Sequence, residues 1–322
     1  MDRIFAKFWN AAIGFYTVWI AYLGIKYGII NSISVKEKTI DEISEENKLN
    51  KKAVEIWCNT AYTLSLIDIV RNKYRLKENL KEIFADENSI RNIAGLYSYI
   101  TIRSLDYAAF DSFFKKGKAQ KITKNLIEAY SKATNFDHLF FTRSILTKNV
   151  EIYDLLLKGC KVLDVGCGSG EWIFKMSNLF PNSTFIGIDK DENSIKIASS
   201  KIKSKNVHFY KKDAKNIDYL NEFEIVNLCE VLCVTKNKEK VLSASYRALK
   251  KGGYMIIVEG LIEKPKRDLI NKILYPMQLD MALQGGSFLS KNELIKLLSK
   301  YSLKTEFIDA GGGLWFILCK KY

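Results

Sequence analysis

Three glycines at alternate positions form the strongest chemical signal in this chain. Gly166, Gly168 and Gly170 directly follow an apolar run over 161–165, and a helical pattern occupies 171–180. Because glycine has no Cβ, a ligand can approach the backbone more closely there than at other residues. The first turn of a helix directs unpaired N–H groups toward the same place. The pattern predicts a strand, a tight turn and a helix that together receive a nucleotide-like ligand.

An acidic residue after the second predicted strand strengthens this interpretation. A G-x-G-x-G run alone is also typical of a turn that needs positive φ. Here the apolar run 184–188 ends in Asp189, nineteen residues after Gly170. A nucleotide ribose would offer its hydroxyls at this position.

Further strands follow, and each ends in residues that could reach the same ligand. They are 207–210 before Asp213 and Ala214, 223–228 before Cys229 and Glu230, and 254–258 before Glu259. A helix stop is predicted over 249–253, with the sequence LKKGG. Strands that alternate with helices predict an α/β domain with a parallel sheet.

This ordered set resembles the class I S-adenosylmethionine-dependent methyltransferases. Their first motif is close to VLDVGCGSG, which stands here at 162–170. The resemblance implies a Rossmann-like, seven-stranded α/β domain with S-adenosyl-L-methionine as cofactor. A nicotinamide-binding domain is the competing interpretation, but such domains usually carry G-x-G-x-x-G with no acid just before it. Here Glu171 follows the last glycine and Asp164 precedes the first.

The same resemblance implies a role for each residue of the motif set. Asp164 would hold the amino end of the cofactor, Asp189 the ribose hydroxyls and Asp213 the adenine amino group. The complete set of expected cofactor residues is Asp164, Gly166, Cys167, Gly168, Gly170, Asp189, Lys190, Asp213, Ala214, Cys229 and Glu230.

The N-terminal part has the order helix, helix, helix, hairpin. Thr39 and Glu42 have the spacing of a capping box, and 52–69 has the apolar spacing of an amphipathic helix. The segment 70–76 is typical of a small β wing with its turn at 71–73. This is a winged-helix pattern.

A winged helix suggests DNA binding, but the third helix has few side chains that could recognise base edges in a DNA groove. It carries Lys51, Lys52 and Glu55 and then becomes largely apolar. Base reading would require several Arg, Lys, Asn or Gln on its exposed face. Burial against other helices is the favoured interpretation, and nucleic acid is disfavoured as a partner.

A winged helix, a helical linker and a Rossmann-like domain in this order resemble the small-molecule O-methyltransferases of plant phenolic and bacterial polyketide chemistry. The local matches are YRLK at 74–77, NFDHLF at 135–140, IVE at 257–259, and QGGS at 284–287 with Glu293. The resemblance implies a winged-helix dimerisation domain over 1–115, a helical linker over 116–158 and the methyltransferase domain over 159–322. It also implies a homodimer joined through the N-terminal helices.

Two catalytic positions of that family differ in this chain. Cys233 stands where the family has a histidine base, and Phe288 replaces one of its two acids, while Glu259 remains. A phenol is a poor nucleophile until it is deprotonated, so a missing base argues against a histidine mechanism. It does not argue against methyl transfer, because positioning alone contributes several kcal/mol. The candidate catalytic residues are Glu259, Cys233 and His138, and each could equally be structural.

The resemblance also places an acceptor pocket. Its expected residues are Phe136, Phe140, Phe141, Met277, Asp280, Met281 and Trp315. Aromatic rings and methionines favour a flat or apolar acceptor. Each of these residues could equally belong to the core.

Composition limits the remaining classes. With 322 residues and 48% hydrophobic residues, the chain can build two packed domains and is not disordered. The net charge of +14 fits a Lys-rich surface or an anionic partner. Six cysteines without a C-x-x-C pair and two isolated histidines predict no metal site and a reducing cytoplasm.

One uncharged segment, 8–25, lies at the lower length limit for a membrane span. It lacks the small-residue cleavage site of a signal peptide. The favoured interpretation is a buried or dimer-forming helix, with peripheral membrane contact as the alternative.

The sequence therefore predicts an S-adenosylmethionine-dependent methyltransferase that acts on a small apolar or aromatic acceptor without the usual histidine base. Two alternatives remain open. The first is a family member that binds the cofactor without transferring methyl. The second is an enzyme that modifies nucleic acid or another macromolecule.

Overall fold

A computed structural model describes residues 2–322, which divide into two compact units. The first unit takes the chain up to Tyr107 together with 128–139, and the second takes 108–127 and 140–322. The segment 116–158, predicted as a linker, is therefore shared between the units.

Residues 2–158 are mainly helical, with one hairpin. The helices and strands are α1 (Arg3–Lys26), α2 (Ile29–Val35), α3 (Ile40–Asn47), α4 (Lys51–Thr63), β1 (Ile67–Val70), β2 (Lys73–Leu76), α5 (Lys81–Phe84), α6 (Ala94–Ser104), α7 (Phe110–Lys116), α8 (Lys124–Ala133), α9 (Asn135–Phe140), α10 (Leu146–Lys148) and α11 (Val150–Lys158).

Local signals in the first unit are observed as the sequence predicts, with one shifted boundary. Thr39 and Glu42 form the capping box of α3. The turn of the β1–β2 hairpin is made by Arg71 and Asn72, both at positive φ. The predicted helix 52–69 is wrong at its end, because α4 stops at Thr63. The backbone of Ser65 is left-handed (φ 60°), so the chain leaves the helix before β1.

Helix α1 contains the whole uncharged segment 8–25. By length and apolar composition it is the one helix among residues 2–322 that could cross a membrane, and 17% of its most apolar stretch is buried. The buried end lies near Ala21 and Tyr22, where Trp57 of α4 donates its indole N–H to the Ile20 carbonyl at 2.9 Å. Residues 7–16 are exposed.

The second unit contains a seven-stranded sheet. Its strands and the helices between them are β3 (Lys161–Val165), α12 (Glu171–Leu179), β4 (Thr184–Asp189), α13 (Glu192–Ser200), β5 (Val207–Lys211), β6 (Phe223–Cys229), α14 (Lys238–Ala248), β7 (Leu249–Gly260), α15 (Leu269–Leu283), α16 (Lys291–Leu298), β8 (Leu303–Gly311) and β9 (Leu314–Lys321).

The strand order is β5-β4-β3-β6-β7-β9-β8, with β3 to β7 parallel and β9 antiparallel to both of its neighbours. The predicted α/β fold with seven strands is confirmed. The chain reverses its direction of winding between β3 and β6, and ligands of such sheets bind at the carboxyl ends of the strands beside that switch point. We call the edge formed by the carboxyl ends of β3, β4, β6 and β7 the strand-end crevice.

Each face of the sheet buries its own apolar cluster. On β3, Val162 packs into one cluster, with α12 and α13, while Leu163 and Val165 pack into the other, with α14 and α16. Each fully buried Val, Leu, Ile or Phe contributes about 1.5–3 kcal/mol, so a strand covered on both faces is fixed firmly. The predicted helix stop at 249–253 lies instead in β7, because α14 already ends at Ala248.

Candidate functional site

The glycine turn connects β3 to α12 and is fixed against the end of β4. The N–H groups of Gly166 and Cys167 both donate to the Ile188 carbonyl, at 2.8 and 3.0 Å. Gly168 has φ +53°, and a Cβ at this position would meet no atom within 4 Å. Its backbone therefore borders open space, as a ligand cradle requires.

Gly170 has a packing role, and its predicted contact with the cofactor stays a prediction. It has φ +81°, and a Cβ there would lie 2.5 Å from Cζ of Phe209 on β5. Phe209 itself packs against Phe174 of α12, with ring centroids 5.5 Å apart. The glycine lets the first turn of α12 lie close to the sheet.

Asp189 ends β4 beside this turn. Its Oδ2 accepts the N–H of Gly168 at 3.0 Å, and its Oδ1 accepts the N–H of Asp191 at 2.8 Å. Burial raises the pKa of Asp189, while the two hydrogen bonds act in the opposite direction. A carboxylate oxygen can accept more than one hydrogen bond, so both oxygens keep capacity for a second donor. Each carboxylate oxygen of Asp189 can therefore accept one of the two ribose hydroxyls expected here.

Asp164 lies inside β3 and is 4% exposed. Its Oδ1 accepts an amide N–H of Asn227 on β6 at 2.8 Å, and the two residues are neighbours in the register. Burial raises the pKa of Asp164 to about 7, partly offset by the bond from Asn227. A nearby cationic amino group would favour the ionised form. Sequence reasoning missed Asn227, although a lone amide in an apolar strand was a usable signal.

The other expected cofactor residues lie in the turn after β3 and at the ends of β4, β5 and β6. Lys190 is exposed, Cys167 is half-buried, and Cys229 is the last residue of β6. Asp213 accepts the N–H of Lys215 at 3.1 Å and so caps a short 3₁₀ turn that begins at Ala214. Lys190, Cys167 and Cys229 belong to the strand-end crevice, and Asp213 and Ala214 follow the neighbouring strand β5.

A second acidic site occupies the ends of β6 and β7. Oxygen atoms of Glu230 and Glu259 and the Sγ of Cys233 all lie within 4.8 Å of one another. Glu259 is 1% exposed, and its oxygens accept the N–H groups of Leu232 at 2.5 Å and Cys233 at 3.2 Å. Burial, with the charge of Glu259, raises the pKa of Glu230 to about 8, and burial raises that of Glu259 to about 7.

Cys233 has no cationic partner that would produce a thiolate. Burial and the two neighbouring glutamates raise the pKa of its thiol well above the usual range. The thiol donates to Oε2 of Glu230 at 3.4 Å. At neutral pH it is therefore a protonated hydrogen-bond donor.

The expected acceptor residues are distributed over both units. Phe136 and His138 belong to the first unit, and for them the acceptor and catalytic roles stay predictions. In the second unit, Phe140 and Phe141 pack against Phe316, with ring centroids 5.3 and 6.4 Å away. Phe141 is 2% exposed and thus part of the core.

Helix α15 and strand β9 carry the rest of the acceptor set. Met281 and Asp280 are buried, Asp280 accepts the amide of Gln284 at 3.3 Å, and Met277 is half-buried. Trp315 lies opposite Glu259 in the register of β7 and β9. The ammonium of Lys291 lies 4.1 Å from the centroid of that ring.

The replacement of the second family acid has a packing explanation. Phe288 is 7% exposed, and a Cβ on Gly260 would lie 3.0 Å from its ring. The aromatic ring fills the space beside the end of β7. Glu293, also part of the resemblance, is the capping-box residue of α16, paired with Ser290.

Comparison with known proteins agrees with this geometry. Residues 156–281 match the family model described as a methyltransferase domain. The demethylmenaquinone methyltransferase of Lactococcus lactis subsp. lactis is 33% identical over 108 residues, 32% of this chain and 43% of that protein. The enzyme of the same name from Staphylococcus carnosus is 29% identical over 151 residues, 45% of this chain and 61% of that protein. The chain thus spans less than two thirds of either relative.

Solved structures match over nearly the whole chain. Human N-acetylserotonin methyltransferase in complex with SAM has a TM-score of 0.70 at 18% identity, covering 100% of this chain and 98% of that one. The pyocyanin biosynthetic protein PhzM has a TM-score of 0.65 at 16% identity, covering 98% of both chains. At these identities the likeness shows the fold.

Fold, glycine turn and family match point in one direction. Residues 156–281 match a methyltransferase-domain model, and the second unit has the class I methyltransferase fold. The open backbone at Gly168 and the spare acceptor capacity of Asp189 fit S-adenosylmethionine as the cofactor.

Proposed function

We propose that this protein transfers a methyl group from S-adenosylmethionine to a small apolar or aromatic acceptor. The observation that carries the proposal is the arrangement of the strand-end crevice. A cofactor cradle lies at the ends of β3 and β4, and buried carboxyl groups lie at the ends of β6 and β7. The two sites share one edge of one sheet, as a donor and an acceptor of a transferred group require.

In this proposal each cofactor residue has one task. Asp164 holds the amino end of the cofactor, Asp189 the ribose hydroxyls and Asp213 the adenine amino group. Gly168 keeps the backbone low beneath the ligand, since no side chain projects there. When bound, the cofactor supplies an electrophilic methyl group on a sulfonium, and the protein supplies alignment and exclusion of water.

The acceptor class is inferred from the lining and from the relatives. Three half-buried residues present apolar or aromatic surface: Met277 in the middle of α15, Trp315 near the start of β9 and Phe140 at the end of α9. The relatives of this chain include enzymes named demethylmenaquinone methyltransferase. A flat aromatic acceptor suits both observations. Such an acceptor could be methylated on oxygen or on carbon.

The oligomeric state and the location are further proposals. Phe8, Trp9 and Phe15 of α1 are more than half exposed, and a second copy of the chain would cover them in a homodimer. Light scattering of the purified chain should give twice the chain mass, and a monomer would contradict this. Cytoplasmic location is proposed from the cysteine pattern, and cell fractionation tests it.

The test of the function is label transfer. The purified chain is incubated with S-adenosylmethionine carrying a tritiated methyl group and with an organic-solvent extract of the source cells. We expect radioactivity in one small, solvent-extractable product, and much less of it with Asp189→Ala at a cofactor concentration that does not saturate the variant. Cofactor binding without any labelled product would favour the non-transferring alternative, and label in nucleic acid or protein would favour the macromolecular one.

A further inference from the structure

The two glutamates at the ends of β6 and β7 lie close enough to interact with one proton. An oxygen of Glu230 lies within 4.8 Å of an oxygen of Glu259, and burial raises the pKa of both carboxyl groups. Two carboxylates this close cannot both be ionised at neutral pH without a large cost, because desolvation and mutual repulsion both favour binding a proton.

The hydrogen bonds decide which of the two carries the charge. Glu259 accepts two backbone N–H groups, one on each oxygen, and these bonds stabilise its carboxylate form. Glu230 accepts one backbone N–H, from Gly260 at 3.1 Å, and its other oxygen faces the Cys233 thiol. The proton therefore resides on Glu230 and the negative charge on Glu259.

Access to the crevice distinguishes the two carboxyl groups as well. Glu259 is 1% exposed, whereas Glu230 is half-buried. Glu230 has left-handed backbone geometry (φ 54°), and its N–H donates to the Val258 carbonyl at 2.8 Å. This conformation places the Glu230 carboxyl beside β7, where its Oε1 accepts the N–H of Gly260.

The charged and titratable neighbours of the pair are few. Besides each other, the glutamates face the Cys233 thiol, and Lys238 of α14 lowers the pKa of Glu259 from a distance. The Cys233 Sγ lies within 4.8 Å of an oxygen of each carboxyl group and donates to Oε2 of Glu230. No histidine is among the groups that act on the pair.

We propose that Glu230 is the base that deprotonates the acceptor, and that Glu259 behind it takes the proton that Glu230 already carries. The inference rests on the proposed function. The X–H bond of the acceptor breaks and its proton moves to Glu230, while the proton of Glu230 moves to the Glu259 carboxylate. The acceptor's electron pair forms the bond to the methyl group, and the electrons of the broken sulfur–carbon bond stay on sulfur. The pair thus goes from one proton to two and loses one to water afterwards.

The position of this pair explains how the site can lack the histidine of related enzymes. Cys233 occupies the histidine position but keeps its proton, so it cannot act as the base. Glu230 lies three residues earlier and is turned toward the same place by its backbone. The same three groups have the spacing of metal ligands, but both oxygens of Glu259 are already engaged by N–H donors.

The first test needs no acceptor and measures the shared proton. A carboxyl group whose pKa is higher in the folded than in the unfolded protein lowers stability as pH rises between those two values. Stability of the wild type should therefore fall from about pH 4.5, where the glutamates of the unfolded chain ionise, to about pH 8, above which Glu230 and Glu259 are ionised in the folded state as well. Thermal unfolding of Glu230→Gln should show a flatter pH slope and, at the alkaline end, a higher Tm than wild type.

A matched control uses an exposed glutamate of the same unit. Glu306→Gln on β8 should reproduce the wild-type slope. If Glu230→Gln also follows the wild-type slope, no proton is shared and the proposal is wrong.

The second test measures the transfer step with the acceptor found by labelling, or with 1-naphthol as a probe. Glu230→Gln should lower kcat by about 10²- to 10⁴-fold, the usual contribution of a general base. It should also abolish the acid limb of the kcat/KM profile, and Glu230→Asp should restore part of the rate. Calorimetry with S-adenosylhomocysteine on every variant separates loss of chemistry from loss of cofactor binding.

The outcomes separate this proposal from the proposed function. A wild type that transfers no label to any acceptor contradicts the function, and the pH slope then still decides whether the proton is shared. An active wild type whose profile is unchanged in Glu230→Gln contradicts only the role of Glu230. Activity that EDTA abolishes and a divalent metal restores would show that the cluster binds metal, and would overturn the proposal.

Discussion

The two ends of the strand-end crevice differ in which groups form them, backbone at one end and side chains at the other. At β3 and β4 the chemistry comes from the backbone, through the open turn at Gly168 and the N–H groups that fix Asp189. At β6 and β7 it comes from buried side chains, Glu230, Cys233 and Glu259, which are brought together from segments 26 residues or more apart. A site made of backbone groups can bind the same cofactor in proteins with different side chains. The side-chain cluster at β6 and β7 can be changed without disturbing the glycine turn.

The largest expected effect is on the free energy of unfolding, and it separates the packing role of Gly170 from the ligand-facing role of Gly168. In Gly170→Ala the new Cβ meets Phe209 at 2.5 Å and the backbone stays at positive φ, so both overpacking and strain act. We expect a loss of about 2–4 kcal/mol in the free energy of unfolding. Gly168→Ala has the strain without the clash and should lose about 1–2 kcal/mol.

Chemical denaturation of both variants checks this difference. Gly168→Ala should in addition weaken S-adenosylhomocysteine binding, because its methyl group enters the open space beside the turn. Equal stability of the two variants would mean that α12 does not need the close approach at Gly170.

A smaller effect concerns the charge on Asp164. Burial raises its pKa to about 7, and the cationic amino end of the cofactor favours the ionised form. Cofactor affinity should therefore rise as pH increases through about 7, by up to about tenfold per pH unit below that value. Asp164→Asn should bind more weakly at alkaline pH and show a flatter pH dependence. Calorimetry across this range measures both, and a pH-independent wild type would contradict the role of Asp164.

The same contrast explains what could be predicted from the sequence. Strands β3 to β7, the glycine turn and Asp189 follow from local patterns, because a parallel strand covered on both faces reads as an apolar run and its end is marked by the next polar residue. The hairpin turn at Arg71–Asn72 and the capping box at Thr39 are equally local.

What the sequence did not reveal depends on distant contacts. Asn227 contacts Asp164 only through the register of β6 on β3. Glu230 meets Glu259 because β6 and β7 end side by side and because its backbone adopts a left-handed turn, which no propensity favours for glutamate. The early end of α4 at Thr63 was missed because the apolar spacing continues past it into β1.

The most direct test of the account is the contribution of Asp189 to cofactor binding. Calorimetric titration of S-adenosylhomocysteine into wild type and Asp189→Ala compares the two, with the exposed Asp111→Ala as a control. The variant loses the ribose acceptor and also the anchor of the Gly168 N–H. We predict a loss of affinity of about 10- to 100-fold for Asp189→Ala and no change for the control. Equal affinity of Asp189→Ala and wild type would contradict the assignment of the cofactor site.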